Sequence, residues 1–350
     1  MRWKRFCMRH EEGTDMNYRE FAQSIKQQTV HGVYLFEGVE ENIKSSALTA
    51  LRKAILPEGM EELNEAVMEN PSTDALIAAV ETLPFLAEKR LVVVRDHAAL
   101  IGRGEGDERL CAYLSQMPDT TVLIFFVRGK ADARKKLAAA IKKAGQVVCF
   151  DRLEEGELNR WIVQTFAALG KQCALPTASL LAFTVGNDTG LLRTEIEKLA
   201  AHAGEAESVT DEDVRALATR SIECTVFEMV DAVVAGQQGR AFRLMRDMLT
   251  AGQDRLGILA MLLRQYRLLQ HVKIMQYEKK SSQEITQNLG VKSFAANRYI
   301  QQARGYTGGQ VRRAVDVCLN TEYRIKTGQL NQEGALEKAM LEIFALRNPN

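Results

Sequence analysis

The stretch Gly38-Val-Glu-Glu-Asn-Ile-Lys44-Ser45 carries the residue types of a phosphate-binding loop, at that loop's spacing, between an apolar run and a helical pattern. In such a loop, backbone N–H groups curl around the phosphates, the lysine reaches their oxygens and the hydroxyl holds magnesium. One fixed position fails. Ile43 stands where a glycine is required, and a β-branched residue resists the geometry that turns the N–H groups inward. Glu40 and Glu41 add negative charge where a triphosphate would lie. The metal-holding acids are also incomplete, because Asp96 follows Arg95 and precedes His97 at the end of the next plausible strand. Two readings stay open here. Gly38, Ile43, Lys44 and Ser45 form a degenerate nucleotide loop that does not hold ATP, or an ordinary strand–turn–helix with an accidental Lys-Ser.

The remaining reactive residue types are scattered. His10, His31, His97, His202 and His271 show neither metal nor triad spacing. Cys7, Cys111, Cys149, Cys173, Cys224 and Cys318 include no CxxC pair and read as reduced, buried thiols. No catalytic residue, metal site or cofactor is expected.

Two segments raise nucleic acid as a ligand. Arg128, Lys130, Arg134, Lys135, Lys136, Lys142 and Lys143 against Asp132 give a local charge of +6. They read as a basic helix surface that is either solvated throughout or, at Lys130, Arg134, Lys135 and Lys136, a candidate for sequence-independent phosphate contacts. Residues 281–303 have a loose helix-turn-helix spacing in which Arg298 would reach bases. That pattern supports a DNA-binding regulator, although two packed antiparallel helices produce it as readily.

The 350 residues carry 46 Lys plus Arg against 45 Asp plus Glu, a net charge of +1, with 46% hydrophobic residues. This is globular composition, and it argues against an autonomous basic nucleic-acid binder. The balance conceals polarity: residues 151–218 sum to −6 and residues 219–350 to +7. No signal-peptide pattern opens the chain, and the apolar run Val122-Leu-Ile-Phe-Phe-Val127 is far short of the ~20 residues of a membrane helix. A cytoplasmic protein is expected.

The elements that would position these residues fall into two patterns. From 17 to 150, Val33-Tyr-Leu-Phe-Glu37, Leu91-Val-Val-Val-Arg95, Val122 to Val127 and Gln146-Val-Val-Cys-Phe150 predict strands. Helices are predicted after Gly38 to about Leu56, over 73–81 and over 131–144, so the sheet is parallel βαβ. Residues 1–16 lack periodicity and read as an extension outside the fold. No proline occurs between Pro176 and Pro349, and the chain there is helical. Residues 151–218 predict a small helical domain. Residues 219–350 predict longer helices, with Ala241/Leu244/Met245/Met248/Leu249 and Leu256/Leu259/Leu263/Tyr266/Leu269 as buried stripes.

After the helix over 73–81, Pro84 forces a turn, and Phe85 and Leu86 follow between Glu81 and Glu88-Lys89-Arg90. Read from the residues alone, the pair is either packed in its own domain or an exposed aromatic-plus-aliphatic anchor.

In order along the chain, Tyr34-Leu-Phe-Glu-Gly38, Thr82-Leu-Pro-Phe-Leu-Ala-Glu-Lys-Arg-Leu-Val-Val-Val94, Glu195-Ile-Glu-Lys-Leu199, Phe227-Glu-Met-Val-Asp231 and Ile325-Lys-Thr-Gly328 resemble the δ-subunit family of the bacterial DNA polymerase III clamp loader. The resemblance implies an AAA+-like α/β domain over 17–150, a small helical lid over 151–218 and a helical collar over 219–350. It implies that Phe85 and Leu86, with Leu83 as accessory, enter a pocket of the ring-shaped sliding clamp and open it without ATP hydrolysis by this chain. It places Arg193, in Gly186-Asn-Asp-Thr-Gly-Leu-Leu-Arg193, where a sensor 2 arginine would stand. The implied partners are the β clamp, δ′, the γ/τ subunits and, through the assembly, primer-template DNA in the nucleoid-associated replisome. A working P-loop ATPase, such as a helicase loader, is the other alternative; it needs Ile43 to be tolerated.

Overall fold

The computed structural model describes residues 15–102, 104, 108–291 and 293–347. They divide into two compact units, one ending at Leu153 and the other beginning at Glu154. The expected N-terminal extension lies outside the described residues up to position 14. Its last two positions are corrected, because Asp15 and Met16 join Asn17 in a strand.

The first unit runs β1 (Asp15–Asn17), α1 (Tyr18–Lys26), β2 (Val33–Glu37), α2 (Glu41–Ile55), α3 (Glu61–Asn64), β3 (Glu65–Glu69), α4 (Thr73–Glu81), β4 (Arg90–Arg95), α5 (Ala98–Ile101), α6 (Glu108–Tyr113), β5 (Thr121–Phe126), α7 (Lys136–Ala144) and β6 (Gln146–Cys149). The strands form one parallel sheet in the order β1-β6-β2-β5-β4-β3. Every residue of β5 is buried, as a central strand covered on both faces requires. Alternation along β2 then separates two cores. Tyr34 and Phe36 meet Phe21 of α1 edge-on, at ring separations of 5.2 and 4.9 Å. Val33 and Leu35 face the other way, in a cluster with Leu76 and Val80 of α4 and Leu137 and Ile141 of α7.

Local chemistry sets the helix ends. Asn17 caps α1 by accepting from the N–H groups of Arg19 and Glu20, while Glu20 accepts from the Asn17 N–H. Ser72 caps α4 by accepting from the Ala75 N–H. The helix expected over 131–144 begins only at Lys136. Asp132 accepts from the Arg134 N–H and the Arg134 guanidinium, and its own N–H donates to the Leu100 carbonyl, which holds 132–135 as a turn.

Among its described residues, the second unit is helical apart from one two-stranded ladder. Its elements are α8 (Glu155–Ala168), β7 (Gln172–Cys173), α9 (Leu175–Val185), α10 (Thr189–His202), β8 (Ser208–Val209), α11 (Asp211–Leu217), α12 (Ile222–Val234), α13 (Gln238–Thr250), α14 (Arg255–Tyr277), α15 (Ser282–Asn288), α16 (Ser293–Arg304), α17 (Gly308–Lys326) and α18 (Ala335–Arg347). Leu259, Leu263, Tyr266 and Leu269 bury the predicted stripe of α14 in one core with α12, α16, α17 and α18. Phe183 of α9 meets Phe227 of α12 at 5.4 Å and Phe294 of α16 at 5.5 Å, so the helices before and after position 218 pack together.

Candidate functional site

The loop after β2 lies at the carboxyl end of the sheet, where ligands of parallel α/β folds bind. Three of its N–H groups are spent on the chain's own carbonyls. Gly38 N–H donates to the Gly129 carbonyl at 2.6 Å, Glu40 N–H to the Phe150 carbonyl at 3.0 Å and Glu41 N–H to the Val39 carbonyl at 3.1 Å. Helix α2 starts at Glu41, so Ile43 and Lys44 are already helical and the Lys44 N–H closes an i→i−4 bond on Glu40. Gly38 has φ of +117°, and a side chain there would overlap the Phe150 backbone.

Lys44 completes the arrangement. It is fully buried, and its Nζ donates to the Gly38 carbonyl at 3.0 Å, the Val127 carbonyl at 2.7 Å and Glu41 Oε1 at 2.7 Å, over the Phe126 ring at 5.0 Å. The ammonium thus spends its three donors on the chain's own oxygens. Ser45 is exposed on the helix. Asp96, in a left-handed conformation with φ of +48°, accepts from the Arg128 N–H at 2.9 Å and pairs with the Arg128 guanidinium at 3.2 Å. Beside the loop, Glu37 accepts from the Ala131 N–H, and burial raises its carboxyl above the usual range.

The second feature is the segment between α4 and β4. Thr82 turns the chain out of α4, with its Oγ1 donating to the Ala78 carbonyl. Leu83, Phe85 and Leu86 follow at 75%, 55% and 75% exposure, three large apolar side chains on one short loop. Leu86 has φ of +49°, a conformation that disfavours a bulky L-residue, and strain of this kind collects at working sites. The loop is nevertheless well held. Arg90 donates from Nη1 to the Leu63 carbonyl and from Nε to the Ala79 carbonyl, and Lys89 donates to the Asp119 carbonyl. Asn64, fully buried, accepts from the Phe85 N–H at 2.7 Å and donates to the Phe85 carbonyl at 2.9 Å. Sequence reasoning missed Asn64, since a lone asparagine after an acidic turn gives no local signal. Exposed Leu63 and Val67 lie on the same edge elements, α3 and β3.

The basic segment is less free than its local sum suggests. Arg128, Lys130, Arg134, Lys135 and the glycine between them precede α7, so only Lys136, Lys142 and Lys143 occupy the helix. Lys130 pairs with Asp151, Arg134 with Asp132, Lys136 with Glu108 and Lys142 with Asp15. Lys135 Nζ donates to the Gly104 carbonyl. Three of those acids, Asp151, Glu108 and Asp15, come from outside the segment. Arg134 holds Asp132 down at about 2, and the Asp151 bond raises Lys130.

In the second unit, Arg298 does not face outward as a base-reading residue would. Its Nη2 meets Asp231 at 3.2 Å, and its guanidinium stacks over Phe183 and Phe227 at 4.6 and 4.5 Å. Ile285 and Leu289 are buried, and with Arg298 held inward the side chain meant to read bases is not presented outward, which corrects the regulator reading. Arg193 pairs with Glu197 along α10, after a turn in which Gly186 ends α9 and Asp188 caps α10. Of the cysteines, Cys7 lies outside the described residues. Cys173, Cys224 and Cys318 are buried and Cys111 and Cys149 half-buried; burial pushes Cys149 and Cys173 to about 11 and Cys224 and Cys318 to about 12.

The chain thus joins a parallel α/β sheet, its phosphate-loop position filled by its own lysine, to a helical unit that follows it in sequence. Family models narrow this. Residues 34–150 match the DNA polymerase III, delta subunit family and residues 223–343 match the DNA polymerase III delta subunit, C-terminal domain. DNA polymerase III subunit delta of Bacillus subtilis (strain 168) is 26% identical over 337 residues, which are 94% of this chain and 97% of that protein. The solved Bacillus subtilis DNA clamp loader delta protein (YqeN) superposes with a TM-score of 0.53 at 25% identity, covering 93% of this chain and 99% of that one. The chain belongs to the DNA polymerase III delta-subunit family and is by that membership a clamp-loader subunit, built to work with the other subunits of such a complex.

Proposed function

We propose that this chain binds and opens the sliding clamp of its replicative polymerase through Leu83, Phe85 and Leu86, and that it does so without hydrolysing ATP. The observation that carries the reading is the exposure of three large apolar side chains on one braced, strained loop. An aromatic and an aliphatic anchor on a rigid support fit an apolar pocket, and burying both contributes roughly 3–6 kcal/mol of transfer free energy before association costs. Opening then needs no bond chemistry. A tip that fits the clamp better when the ring interface is parted shifts the ring toward the parted state by its difference in affinity.

The loop over 38–45 supports the absence of turnover. A nucleotide would have to displace Lys44 from three acceptors and compete for the Gly38, Glu40 and Glu41 N–H groups, which are already bonded to carbonyls. The P-loop ATPase alternative requires both. In the assembly, 151–218 would act as the lid, 219–350 as the collar that meets δ′ and γ/τ, and primer-template DNA would be bound by the complex in the cytoplasmic replisome.

The test is the affinity of purified full-length chain for the clamp by surface plasmon resonance. Phe85→Ala with Leu86→Ala is expected to weaken binding at least about a hundredfold. Unchanged affinity in a folded double variant removes the assignment. ATP turnover by the purified chain alone would overturn the second half of the reading.

A further inference from the structure

We propose that Asn64 is the positioning residue of the Phe85–Leu86 tip, an inference that rests on the clamp-binding reading above. The side chain is fully buried and makes three hydrogen bonds. Oδ1 accepts from the Phe85 N–H at 2.7 Å, while Nδ2 donates to the Phe85 carbonyl at 2.9 Å and to the Met60 carbonyl at 3.1 Å. One side-chain amide therefore brackets both polar groups of a single residue, as a neighbouring strand would. It also anchors that residue to the turn preceding α3.

The bracket matters because, among the described residues, no other hydrogen bond fixes the apex. Phe85 is 55% and Leu86 75% exposed, so apolar packing covers less than half of either side chain. Thr82, Lys89 and Arg90 secure the two ends of the loop. With the peptide groups on either side of Phe85 held by Asn64, the chain passes into Leu86 at φ of +49°, which sets the direction of both side chains. Without the bracket, Leu86 relaxes to a more populated conformation, and the partner must order the tip at its own expense. The chemistry is specific to an amide. Alanine offers neither donor nor acceptor, and an ionised aspartate accepts from the Phe85 N–H but sets negative charge against two carbonyl oxygens.

Clamp affinity of the full-length chain tests this on four proteins. Asn64→Ala is expected to weaken binding about tenfold, the change that follows from losing two or three neutral hydrogen bonds of modest net worth. On a Phe85→Ala background the same substitution is expected to cost less than about threefold, because the side chain it aims is gone. Asn64→Asp is expected to bind as weakly as Asn64→Ala at neutral pH and to recover as pH falls toward 5, because burial against two carbonyl oxygens raises its carboxyl and, once protonated, it again offers one donor and one acceptor. The charged groups on the adjoining elements are Glu61, Glu62 and Glu65, the last paired with Arg52, and Arg90, which donates to the Leu63 carbonyl. They are common to wild type and Asn64→Ala, whose pH profiles supply the baseline, with folding checked by circular dichroism at each pH.

Asn64→Ala binding like wild type, an undiminished loss on Phe85→Ala, or Asn64→Asp without acid recovery each overturns the role of Asn64. In those cases a hundredfold loss in Phe85→Ala/Leu86→Ala leaves the clamp reading standing. Wild-type affinity in that double variant overturns both.

Discussion

Lys44→Met separates a lysine that serves a nucleotide from one that serves the fold. Methionine keeps most of the stem volume and removes the ammonium. The Gly38 and Val127 carbonyls, paired to Nζ at 3.0 and 2.7 Å, lose a donor in a buried place. An orphaned buried acceptor costs about 1–3 kcal/mol, so two give roughly 2–6 kcal/mol. Against this, the variant no longer buries a charge, and Glu41, part-exposed, can turn to water. A net loss of about 2–4 kcal/mol follows, a large share of the 5–15 kcal/mol that holds a typical domain. Because the chain has two units, the measurement should be local. Hydrogen exchange of peptides spanning β2 and β5 is expected to lose roughly 30- to 1,000-fold in protection, while α14 keeps its own. Loss of nucleotide binding in Lys44→Met with β2 and β5 protection unchanged would refute the reasoning.

Gly38→Ala places a methyl group against the Phe150 backbone at φ of +117° and is expected to cost at least about 2 kcal/mol in the same exchange measurement. His97 accepts the Ala99 N–H on Nδ1, and burial lowers its imidazole below the ordinary 6.5. The unfolded chain therefore takes up a proton that the folded chain resists, so stability is full above the unfolded value and declines as pH falls from about 7 toward 5. His97→Asn retains a capping acceptor and is expected to flatten that slope in urea titrations at several pH values. Charge reversal at Lys135 and Lys136 is expected to leave the salt dependence of DNA binding nearly unchanged, because Lys136 is paired with Glu108 and Lys135 with a carbonyl. A slope reduced by about two in log K against log salt would instead assign both as phosphate contacts.

What the sequence made legible follows what each signal rests on. β2, β4, β5 and β6 stand within a residue or two of the predicted runs, because buried parallel strands are continuous apolar stretches. Helix α4 matches 73–81, with Ser72 as cap and Pro84 beyond. β1 and β3 were not legible. The first has three residues, and the second reads Glu-Ala-Val-Met-Glu, half-exposed at the sheet edge with no apolar run. The loop defect at Ile43 was legible from one β-branched residue. The way the loop is filled was not, since Val127 lies 83 positions from Lys44. The same limit applies to the tip. Pro84 announced the turn and Phe85-Leu86 the anchors, whereas Asn64 reaches Phe85 from 21 positions away. The partners of the basic segment were not legible for that reason too, because Asp151, Glu108 and Asp15 reach it from elsewhere in the chain.

The buried Lys44 also bears on how this protein can change over generations. A glycine at position 43 would meet the missing requirement of the motif, yet by itself it would leave Lys44 turned inward and α2 beginning at Glu41. It would also place a poor helix former inside that helix. Recovering an open loop needs the lysine released, the helix start shifted by several residues and the Gly38 and Val127 carbonyls given new donors. The first of these steps taken singly lowers stability. The filled loop therefore works as a ratchet, in which any change toward a phosphate-accepting loop passes through less stable intermediates.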